Sequence, residues 1–419
     1  MISDVNELIS LIENSKRQEK KTSLDKMASL CSLFDNPQDG VPFIHVGGTN
    51  GKGSTVTYIK SILMEAGFKV GSFISPYVVC FNERISIGND YISDTDLLYY
   101  GNKVIDKLKS INEEIPAFFD FITLIAFLYF KDAYINKKVD YVVLEVGMGG
   151  VYDSTNVCKP LVSLVTNVDY DHMNVLGNTL EEIWANKLGI LKPNTPFICY
   201  SSKYDYLVID KAISQGSKDL LKIINKDDCV NVKIINNQTV YDYLDLKDIT
   251  LNLMGRYQAE NSSLAIEAIR TLNLNITNQC IKNGLLKARW PGRLEIVHKD
   301  PLIILDGAHN VDAINRLYEF IKMYHFSKPL RLVMAISANK EVEKMVKIIE
   351  PLADEVVYTE FNYKRSDSAS HLFSLSTHQN KKLIENDKDI LPYIMNDKNH
   401  DNVLFGSLYF VSEIRKLVK

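Results

Sequence analysis

The sequence FIHVGGTNGKGS, residues 43–54, decides the fold of this chain because it joins an apolar, β-branched run to a glycine-rich loop. A helical pattern starts at Gly53 and continues to about Gly67. A strand, a glycine loop and a helix N-terminus in this order hold polyphosphate, since glycines let backbone N–H groups approach the oxygens and the helix dipole adds about half a positive charge. Lys52 is then placed to contact the β- and γ-phosphates. An ordinary tight strand-to-helix turn is the alternative interpretation.

The loop departs from the common pattern G-x-x-x-x-G-K-[ST] at two positions. Val46 stands where the first glycine belongs, and Gly53 separates Lys52 from Ser54. Because the lysine still lies between a strand pattern and a helix pattern, phosphate binding is favoured over a simple turn.

Short apolar runs alternate with amphipathic helical patterns around this loop, which predicts an α/β fold with a parallel sheet wrapped by helices. The strand patterns lie at residues 43–46, 70–73, 139–145 and 161–165, with helical patterns starting at residues 53, 94, 117 and 179. Polar pieces surround three short strand patterns between residues 222 and 252. This region predicts a small antiparallel addition to the phosphate-loop domain.

The helical periodicity of residues 256–272 and 277–287 is broken by Trp290-Pro291-Gly292, and a second series of strand and helix patterns follows. These run through residues 302–305, 330–335, 355–359, 381–384 and 403–405. We therefore predict two domains: 1–296, which carries the phosphate loop, and 297–419, a smaller Rossmann-like α/β domain.

Composition excludes several classes of protein. The 419 residues carry 48 Lys and Arg against 52 Asp and Glu, a net charge of -4, which gives no electrostatic footprint for nucleic acid or for anionic membranes. The six cysteines lie far apart and form no CxxC pair, as expected of reduced thiols in the cytoplasm. The most apolar stretch, residues 115–130, is shorter than the roughly 20 residues of a membrane span and contains Pro116 and Asp120. The N-terminus lacks the unbroken apolar run of a signal peptide, so we expect a cytoplasmic protein.

The loop GTNGKGS resembles the phosphate loop of the Mur ligase superfamily, ATP-dependent enzymes that join an amino acid to a carboxylate. The rest of the chain resembles the family of folylpolyglutamate synthase and dihydrofolate synthase. The resemblance rests on ordered motifs along essentially the whole chain: ISPYVVCFNERI (74–85), LEVGMGGVYDSTN (144–156), DYDH (169–172), NKLGILK (186–192), GRYQAEN (255–261), WPGRLE (290–295), DGAHN (306–310) and FGSLY (405–409).

The resemblance implies a ligase of folate biosynthesis and one-carbon metabolism. Such an enzyme adds L-glutamate to the γ-carboxylate of tetrahydrofolate through an acyl phosphate, using ATP and two Mg²⁺ ions, and bifunctional relatives also join glutamate to dihydropteroate. We expect a monomer that acts on these small molecules. Two other functions stay open: a cell-wall Mur-type amino-acid ligase, and a nucleotide-binding P-loop protein without ligase activity.

The resemblance also implies roles for individual residues at the nucleotide. The nucleotide contacts are Thr49, Asn50, Gly51, Lys52, Gly53, Ser54, Asn261, Arg293 and Asp306. Ser75 and Glu145 carry the first metal ion and His172 serves the second, while Lys187 carries a carbamate. Lys52, His172 and Lys187 are the expected catalytic residues. Alternatively, Glu145 forms a buried salt bridge, His172 is a core histidine, Lys187 lies on a helix surface and Arg293 forms an interdomain ion pair.

For the substrates, the resemblance implies Phe119, Asp120, Arg84, Tyr152 and Asp153 on the folate side. An aromatic ring at Phe119 would stack on the flat pterin or aminobenzoyl ring. The weaker candidates His309 and Ser407 would bind glutamate, or else cap neighbouring helices. Val151 departs from the arginine that bifunctional relatives carry in GGRxDxTN, which favours folate extension over the dihydropteroate reaction.

Overall fold

The computed structural model describes residues 2–15, 23–338, 340–362 and 366–418. Contacts divide the chain into two compact units, described separately below. The first unit comprises Met1–Cys229 with Glu260–Lys287, and the second comprises Val230–Ala259 with Ala288–Lys419. The antiparallel strands predicted near residues 222–252 thus fall mainly in the second unit. The functional boundary between 296 and 297 stays a prediction.

The strands are β1 (Phe43–Gly47), β2 (Val70–Phe73), β3 (Ile85–Ile87), β4 (Asp90–Tyr91), β5 (Tyr141–Glu145), β6 (Val162–Val165), β7 (Phe197–Tyr200), β8 (Leu221–Ile224), β9 (Cys229–Ile235), β10 (Gln238–Tyr243), β11 (Leu246–Leu251), β12 (Glu295–Lys299), β13 (Leu302–Asp306), β14 (Leu330–Met334), β15 (Glu355–Glu360), β16 (Lys381–Asn386) and β17 (Asp401–Phe405). The α-helices are α1 (Val5–Asn14), α2 (Asp25–Ser32), α3 (Lys52–Glu65), α4 (Asp94–Ser110), α5 (Phe118–Ile135), α6 (Met173–Leu176), α7 (Leu180–Lys187), α8 (Asp205–Ser214), α9 (Arg256–Thr271), α10 (Asn278–Lys287), α11 (Val311–Met323), α12 (Val342–Ile349), α13 (Ala369–Leu375), α14 (Ile390–Asn396) and α15 (Leu408–Val418).

The large sheet of the first unit has the order β4-β3-β2-β5-β1-β6-β7-β8. Strands β2, β5, β1, β6, β7 and β8 are parallel, and β3 and β4 add an antiparallel edge. Strand β1 lies in the middle, with Val46 beside Glu145 of β5 and Gly47 beside Val165 of β6. The carboxyl ends of these neighbouring strands therefore bring the glycine loop and Glu145 to one edge of the sheet.

Helix α5 forms the centre of one core of this unit. It follows Pro116, consists almost entirely of apolar residues through Phe130, and buries most of that stretch against α1, α2, α4 and the sheet. This is the buried helix that the sequence predicts for residues 115–130. On the other face, α7 and α8 pack over β6 and β7 around Trp184 and Phe197.

The second unit contains a three-stranded sheet, β11-β10-β9, in which β10 and β11 are antiparallel. Its larger sheet has the order β12-β13-β17-β14-β15-β16, with β12 antiparallel to β13 and the other strands parallel. Apolar cores cover both faces of that sheet. The structure therefore confirms the predicted fold class: a mainly parallel α/β sheet carrying the phosphate loop, a small antiparallel sheet and a second α/β sheet.

Arg331 on β14 is a fully buried cation in the second unit. Its guanidinium pairs with Glu355 and Asp397 and lies 4.6 Å from the centre of the Tyr393 ring. These carboxylates supply the pairing that a buried charge requires.

Two further observations bear on the class of protein. Within the described ranges, no helix is long and apolar enough to cross a membrane. The six cysteines carry free thiols, and four of them are buried, whereas Cys80 is exposed.

Candidate active site

The glycine loop between β1 and α3 is shaped so that side chains cannot fit. Gly48 has a φ of 141° and Gly51, which caps α3, has a φ of 82°. A Cβ atom on Gly48 would overlap the Thr166 hydroxyl, and one on Gly51 would overlap the Asn261 side-chain oxygen. The loop therefore leaves a cradle of bare backbone at a helix N-terminus, which fits a phosphate group.

The segment after β6 holds the glycine loop in place. The Thr49 N–H donates to the Asn167 carbonyl (2.8 Å), and the Asn50 N–H donates to the Asn167 side-chain oxygen (2.7 Å). The Thr166 hydroxyl donates to the Asn50 carbonyl (2.5 Å). Thr166 and Asn167 were not predicted from the sequence, although polar residues directly after a buried parallel strand are the signal that could have identified them.

Lys52 is the first residue of α3 and is half-buried. Its Nζ donates to the Thr49 carbonyl (3.0 Å), so the ammonium folds back over the glycine loop. Ser54 is buried in the first turn of the helix. The predicted nucleotide residues 49–54 and Asn261 are thus brought together around one loop.

Lys187 lies at the end of α7 and is 2% exposed, which excludes the helix-surface alternative. Its Nζ donates to the carbonyl of Gly48 (2.8 Å). Burial lowers the pKa of Lys187 to about 7, and the charge of Lys52 adds to this effect while Asp171 and Asp153 oppose it. A substantial fraction of this amine is therefore neutral near neutral pH.

Ser75 and Glu145, the predicted ligands of the first metal ion, lie next to each other. The Ser75 N–H donates to Glu145 Oε2 (3.1 Å), and Glu145 is 4% exposed. Hydroxyl and carboxylate oxygens are the hard ligands that Mg²⁺ prefers, and Mg²⁺ usually takes only one or two ligands from protein. Among the described residues, no cluster of three or more His, Cys, Asp or Glu side chains able to hold a metal occurs, and a magnesium site at Ser75 and Glu145 stays a prediction.

His172 precedes the short helix α6 and has a positive φ of 50°. Its side chain is 50% exposed, which excludes the core-histidine alternative, and its Nε2 lies 4.0 Å from Asp171 Oδ1. An imidazole nitrogen is a softer ligand than Mg²⁺ prefers, so the fit of His172 to a second magnesium ion is weaker than that of Glu145.

Arg84 is 4% exposed and lies among aromatic rings. Its guanidinium lies 5.0 Å from the ring centre of Tyr77, 5.5 Å from Phe81 and 5.2 Å from Phe118. Arg84 Nη1 also donates to the Ser75 hydroxyl (3.3 Å). The arginine predicted on the folate side is therefore adjacent to the candidate metal ligand Ser75.

Phe119 and Asp120 occupy the first turn of α5. The Phe119 ring lies 5.8 Å from that of Phe73 and so close to Gly147 that a Cβ atom there would overlap it. Asp120 is 1% exposed and accepts a hydrogen bond from the Ser154 hydroxyl (2.6 Å). The aromatic ring is thus set against the loop 147–153, while the carboxylate fastens the end of that loop.

Asp153 and Tyr152 have opposite environments. Asp153 is 5% exposed and accepts hydrogen bonds from Met148 N (2.9 Å), Thr155 N (3.0 Å) and the Thr155 hydroxyl (2.5 Å). Tyr152 is 39% exposed. Asp153 therefore shapes the loop from inside, and a direct substrate contact by either residue stays a prediction.

In the second unit, Arg293 and Asp306 lie at one place. The Gly307 N–H donates to the Gly292 carbonyl (2.9 Å), and a Cβ atom on Gly307 would overlap the Arg293 guanidinium. Asp306 accepts from Leu294 N (3.0 Å). Burial raises the pKa of Asp306, and the charge of Arg293 opposes that shift. The motifs WPGRLE and DGAHN therefore form one local cluster.

Both glutamate-binding candidates have local partners. His309 belongs to the DGAHN motif. Ser407 precedes Leu408, whose side chain a Cβ atom on Gly307 would overlap. His309 Nδ1 donates to the Gly307 carbonyl (2.8 Å). Ser407 is buried directly before α15, and its hydroxyl accepts from Tyr409 N (3.3 Å), as a helix-capping side chain does. The capping alternative thus has direct geometric support at Ser407, and glutamate binding stays a prediction.

Comparisons with known proteins agree with this geometry. The Mur ligase middle domain family matches residues 46–269, and the family described as dihydrofolate synthetase, C-terminal domain, matches residues 293–417. A dihydrofolate synthase/folylpolyglutamate synthase of Bacillus subtilis is 35% identical over 415 residues, 95% of either chain. The chain belongs to the dihydrofolate synthase/folylpolyglutamate synthase family.

Two other family members resemble this chain. A folylpolyglutamate synthase of Lacticaseibacillus casei is 34% identical over 81% of either chain. A solved FPGS-AMPPCP-folate complex is 29% identical with a TM-score of 0.82, covering 99% of this chain and 100% of that one. The resemblance drawn from the motifs is therefore confirmed across the whole chain.

The family's glycine loop generates a direct test of nucleoside triphosphate binding. Gly51→Ala should weaken the binding of the non-hydrolysable analogue AMPPCP by at least about tenfold, because the new Cβ would push the loop away from Asn261. The matched control is Gly67→Ala, since Gly67 has a similar φ of 89° but no atom within 4 Å of the added Cβ. Both variants carry the backbone strain of roughly 1–2 kcal/mol, so calorimetric titration isolates the effect of the overlap. Equal affinities of the two variants would contradict the cradle.

Proposed function

We propose that this chain is an ATP-dependent ligase that joins L-glutamate to the γ-carboxylate of a folate. The observation that carries the proposal is the position of Lys187, whose buried amine meets the phosphate loop at Gly48. The names of the relatives, and the complex of a related synthase with AMPPCP and folate, support ATP and folate as substrates over a cell-wall precursor. A nucleotide-binding protein without ligase activity would have no use for a buried lysine at this loop.

The chemistry explains why cations gather at the loop. A carboxylate oxygen of the folate attacks the γ-phosphorus of ATP, forming an acyl phosphate and releasing ADP. The neutral amine of glutamate then attacks the acyl carbon, phosphate leaves, and the amine loses a proton. In the first step two anions must approach, so Lys52 and the N-terminus of α3 offset their repulsion. Magnesium ions would neutralise phosphate oxygens, one held by Ser75 and Glu145 and the second beside His172.

The aromatic cluster offers a surface for the pterin and aminobenzoyl rings. Phe119 lies over Gly147, and Arg84 is stacked among Tyr77, Phe81 and Phe118. A flat ring stacks favourably on such side chains, while the guanidinium attracts the carboxylates of the substrate.

Residues of the second unit complete the proposal. Arg293 would contact the nucleotide phosphates and Asp306 the ribose hydroxyls, with His309 and Ser407 as candidates for glutamate. We further propose a monomer in the cytoplasm, divided functionally at residues 296 and 297.

A second activity, the joining of glutamate to dihydropteroate, is favoured by the name of the Bacillus subtilis relative. Val151 argues for a weaker dihydropteroate reaction. Its N–H donates to the Asn186 carbonyl (2.9 Å), and a Cβ atom on Gly189 would overlap it. An apolar side chain there cannot grip a carboxylate as arginine can.

Lys187 is the residue for which we propose a covalent change. The lone pair of its neutral Nζ would attack the carbon of CO₂, giving a carbamate and releasing one proton. The lowered pKa of Lys187 supplies the neutral amine. The product is an anion, which suits a site that holds Mg²⁺ better than an ammonium does.

The ligase reaction is tested by ADP release in the presence of ATP and glutamate. We expect ADP release with tetrahydrofolate and none without a pterin. Lys52→Ala should lower turnover by at least roughly a hundredfold, because it removes a charge that stabilises the phosphates, and thermal unfolding should be nearly unchanged. ADP release that does not depend on a pterin would favour the nucleotide-binding alternative, and near-normal turnover of Lys52→Ala would refute the role of this lysine.

The dihydropteroate reaction is tested at Val151. We expect a kcat/KM for dihydropteroate that is lower than for tetrahydrofolate by about ten- to a hundredfold, the cost of one charge-assisted contact. Val151→Arg should raise the dihydropteroate value, whereas Val151→Leu, the control for size alone, should not. A wild-type preference for dihydropteroate would show that Val151 is no handicap.

The carbamate is tested with ¹³C-labelled CO₂. Wild-type protein should show a carbamate NMR signal that is absent in Lys187→Met and retained in Lys192→Met, another lysine with a lowered pKa. At constant dissolved CO₂, activity should fall as the pH drops below about 7, because Lys187 becomes protonated. Lys187→Ala should be inactive and partly rescued by short carboxylates. Full activity of Lys187→Ala would exclude the carbamate.

A further inference from the structure

A hydrogen-bonded series of buried polar side chains connects β1 to the loop 147–153. His45, on β1 two residues before the glycine loop, is fully buried. Its Nε2 lies 2.8 Å from the Thr155 hydroxyl, which donates to Asp153 Oδ1 (2.5 Å). On the opposite side of the ring, His45 Nδ1 lies 3.9 Å from Cys158 Sγ. None of these four side chains is more than 5% exposed, so water cannot easily replace a lost partner.

The hydrogen-bond pattern fixes the tautomer of His45. A carboxylate can only accept, so the single hydroxyl proton of Thr155 goes to Asp153. The Thr155 oxygen must therefore accept from His45, which places the ring proton on Nε2. His45 Nδ1 is left as an acceptor for the Cys158 thiol. Cys158 therefore donates to His45, His45 donates to Thr155, and Thr155 donates to Asp153.

The ionisation of the same groups agrees with this direction. Burial lowers the pKa of His45 to about 3, and the charge of Lys192 acts the same way, so the ring is neutral. Burial raises the pKa of Cys158 to about 12, so its proton is retained and available for donation.

Asp153, at the end of this hydrogen-bonded series, sets the shape of the loop 147–153. Asp153 Oδ2 accepts from Met148 N (2.9 Å), directly after Gly147, against which Phe119 lies. Between these fixed points, Met148 and Tyr152 are exposed. Orienting the Asp153 carboxylate therefore orients the exposed part of the loop beside Phe119.

We propose that His45 is a positioning residue for the pterin substrate, which acts by directing the Thr155 hydroxyl onto Asp153 and thereby fixing the loop 147–153. The expected effect on the KM of the folate substrate rests on the proposed function, whereas the expected tautomer of His45 does not. The backbone of β1 is paired on both sides, to β5 and to β6, so loss of the side-chain bond should leave the phosphate loop in place.

The kinetic test compares Thr155→Val, which removes the hydroxyl, with Thr155→Ser, which keeps it. Thr155→Val should raise KM for the folate substrate about tenfold while kcat and the KM for ATP change by less than about threefold. Thr155→Ser should behave like wild type. A similar loss in both variants, or an unchanged folate KM in Thr155→Val, would overturn the proposal.

The tautomer is tested without any activity measurement, by ¹⁵N NMR of histidine-labelled protein, with the His45 signal assigned from His45→Gln. Wild type and Thr155→Ser should show a proton on Nε2 and none on Nδ1 between about pH 5 and 8. Thr155→Val should show a mixture of tautomers. A proton on His45 Nδ1 in wild type would refute the hydrogen-bond direction from Cys158 to Asp153, even if the enzyme is an active ligase. If Thr155→Val does not fold, the wild-type spectrum and the folate KM of two His45 variants decide the question. His45→Gln retains a hydrogen-bond donor, whereas His45→Leu has none. A folate KM raised as far in His45→Gln as in His45→Leu would contradict the proposal.

Discussion

The contact between the Lys187 amine and the carbonyl of Gly48 is the interaction on which the candidate active site depends. A lysine that is 2% exposed has lost most of its hydration, and its amine donates a hydrogen bond to a backbone carbonyl of the phosphate loop, at 2.8 Å. Because Lys52 adds a second positive charge nearby, the charged form of Lys187 is disfavoured and its pKa falls to about 7. The burial of Lys187 against the loop thus also favours its neutral form, which is the form that the proposed carbamate requires.

Close backbone approach makes this contact possible, and it depends on residues without side chains. A Cβ atom on Gly150 would come within 2.7 Å of the Lys187 carbonyl, and one on Gly189 would overlap Val151. The loop 147–153 and the turn after α7 therefore lie directly against each other. Since the loop is also held by Asp153 and by Phe119, the phosphate loop, the lysine and the aromatic surface form one connected body within the first unit. A change in any of these segments is transmitted to the others through contact that cannot relax into empty space.

Much of this arrangement could be predicted from the sequence, because local patterns and ordered motifs carry it. The strand, glycine loop and helix at residues 43–67 were visible from residue types alone, and the motif order led to the correct family. Burial was harder to predict, because it depends on which distant segments meet. Asp153 and Arg84 were predicted as residues of the folate side, yet Asp153 fastens a loop from inside and Arg84 is stacked among three rings. Thr166 and Asn167, which follow β6, and His45, which lies on β1, were overlooked because their residue types are ordinary at such positions, and only the folded structure shows their partners.

The burial of Asp153 changes how specificity in this loop is to be understood. A carboxylate that already accepts from Met148 and Thr155 can affect a substrate chiefly through the shape it gives the loop. The exposed side chains of the loop, Met148 and Tyr152, are then the ones that a substrate can reach. Val151 combines both features. Its backbone N–H is bonded to the Asn186 carbonyl, and its side chain stands where the GGRxDxTN motif has an arginine. The buried contacts of Asp153 and of the Val151 backbone therefore fix the shape of the loop, whereas its exposed positions are those at which a change of side chain would alter substrate contacts without disturbing that shape.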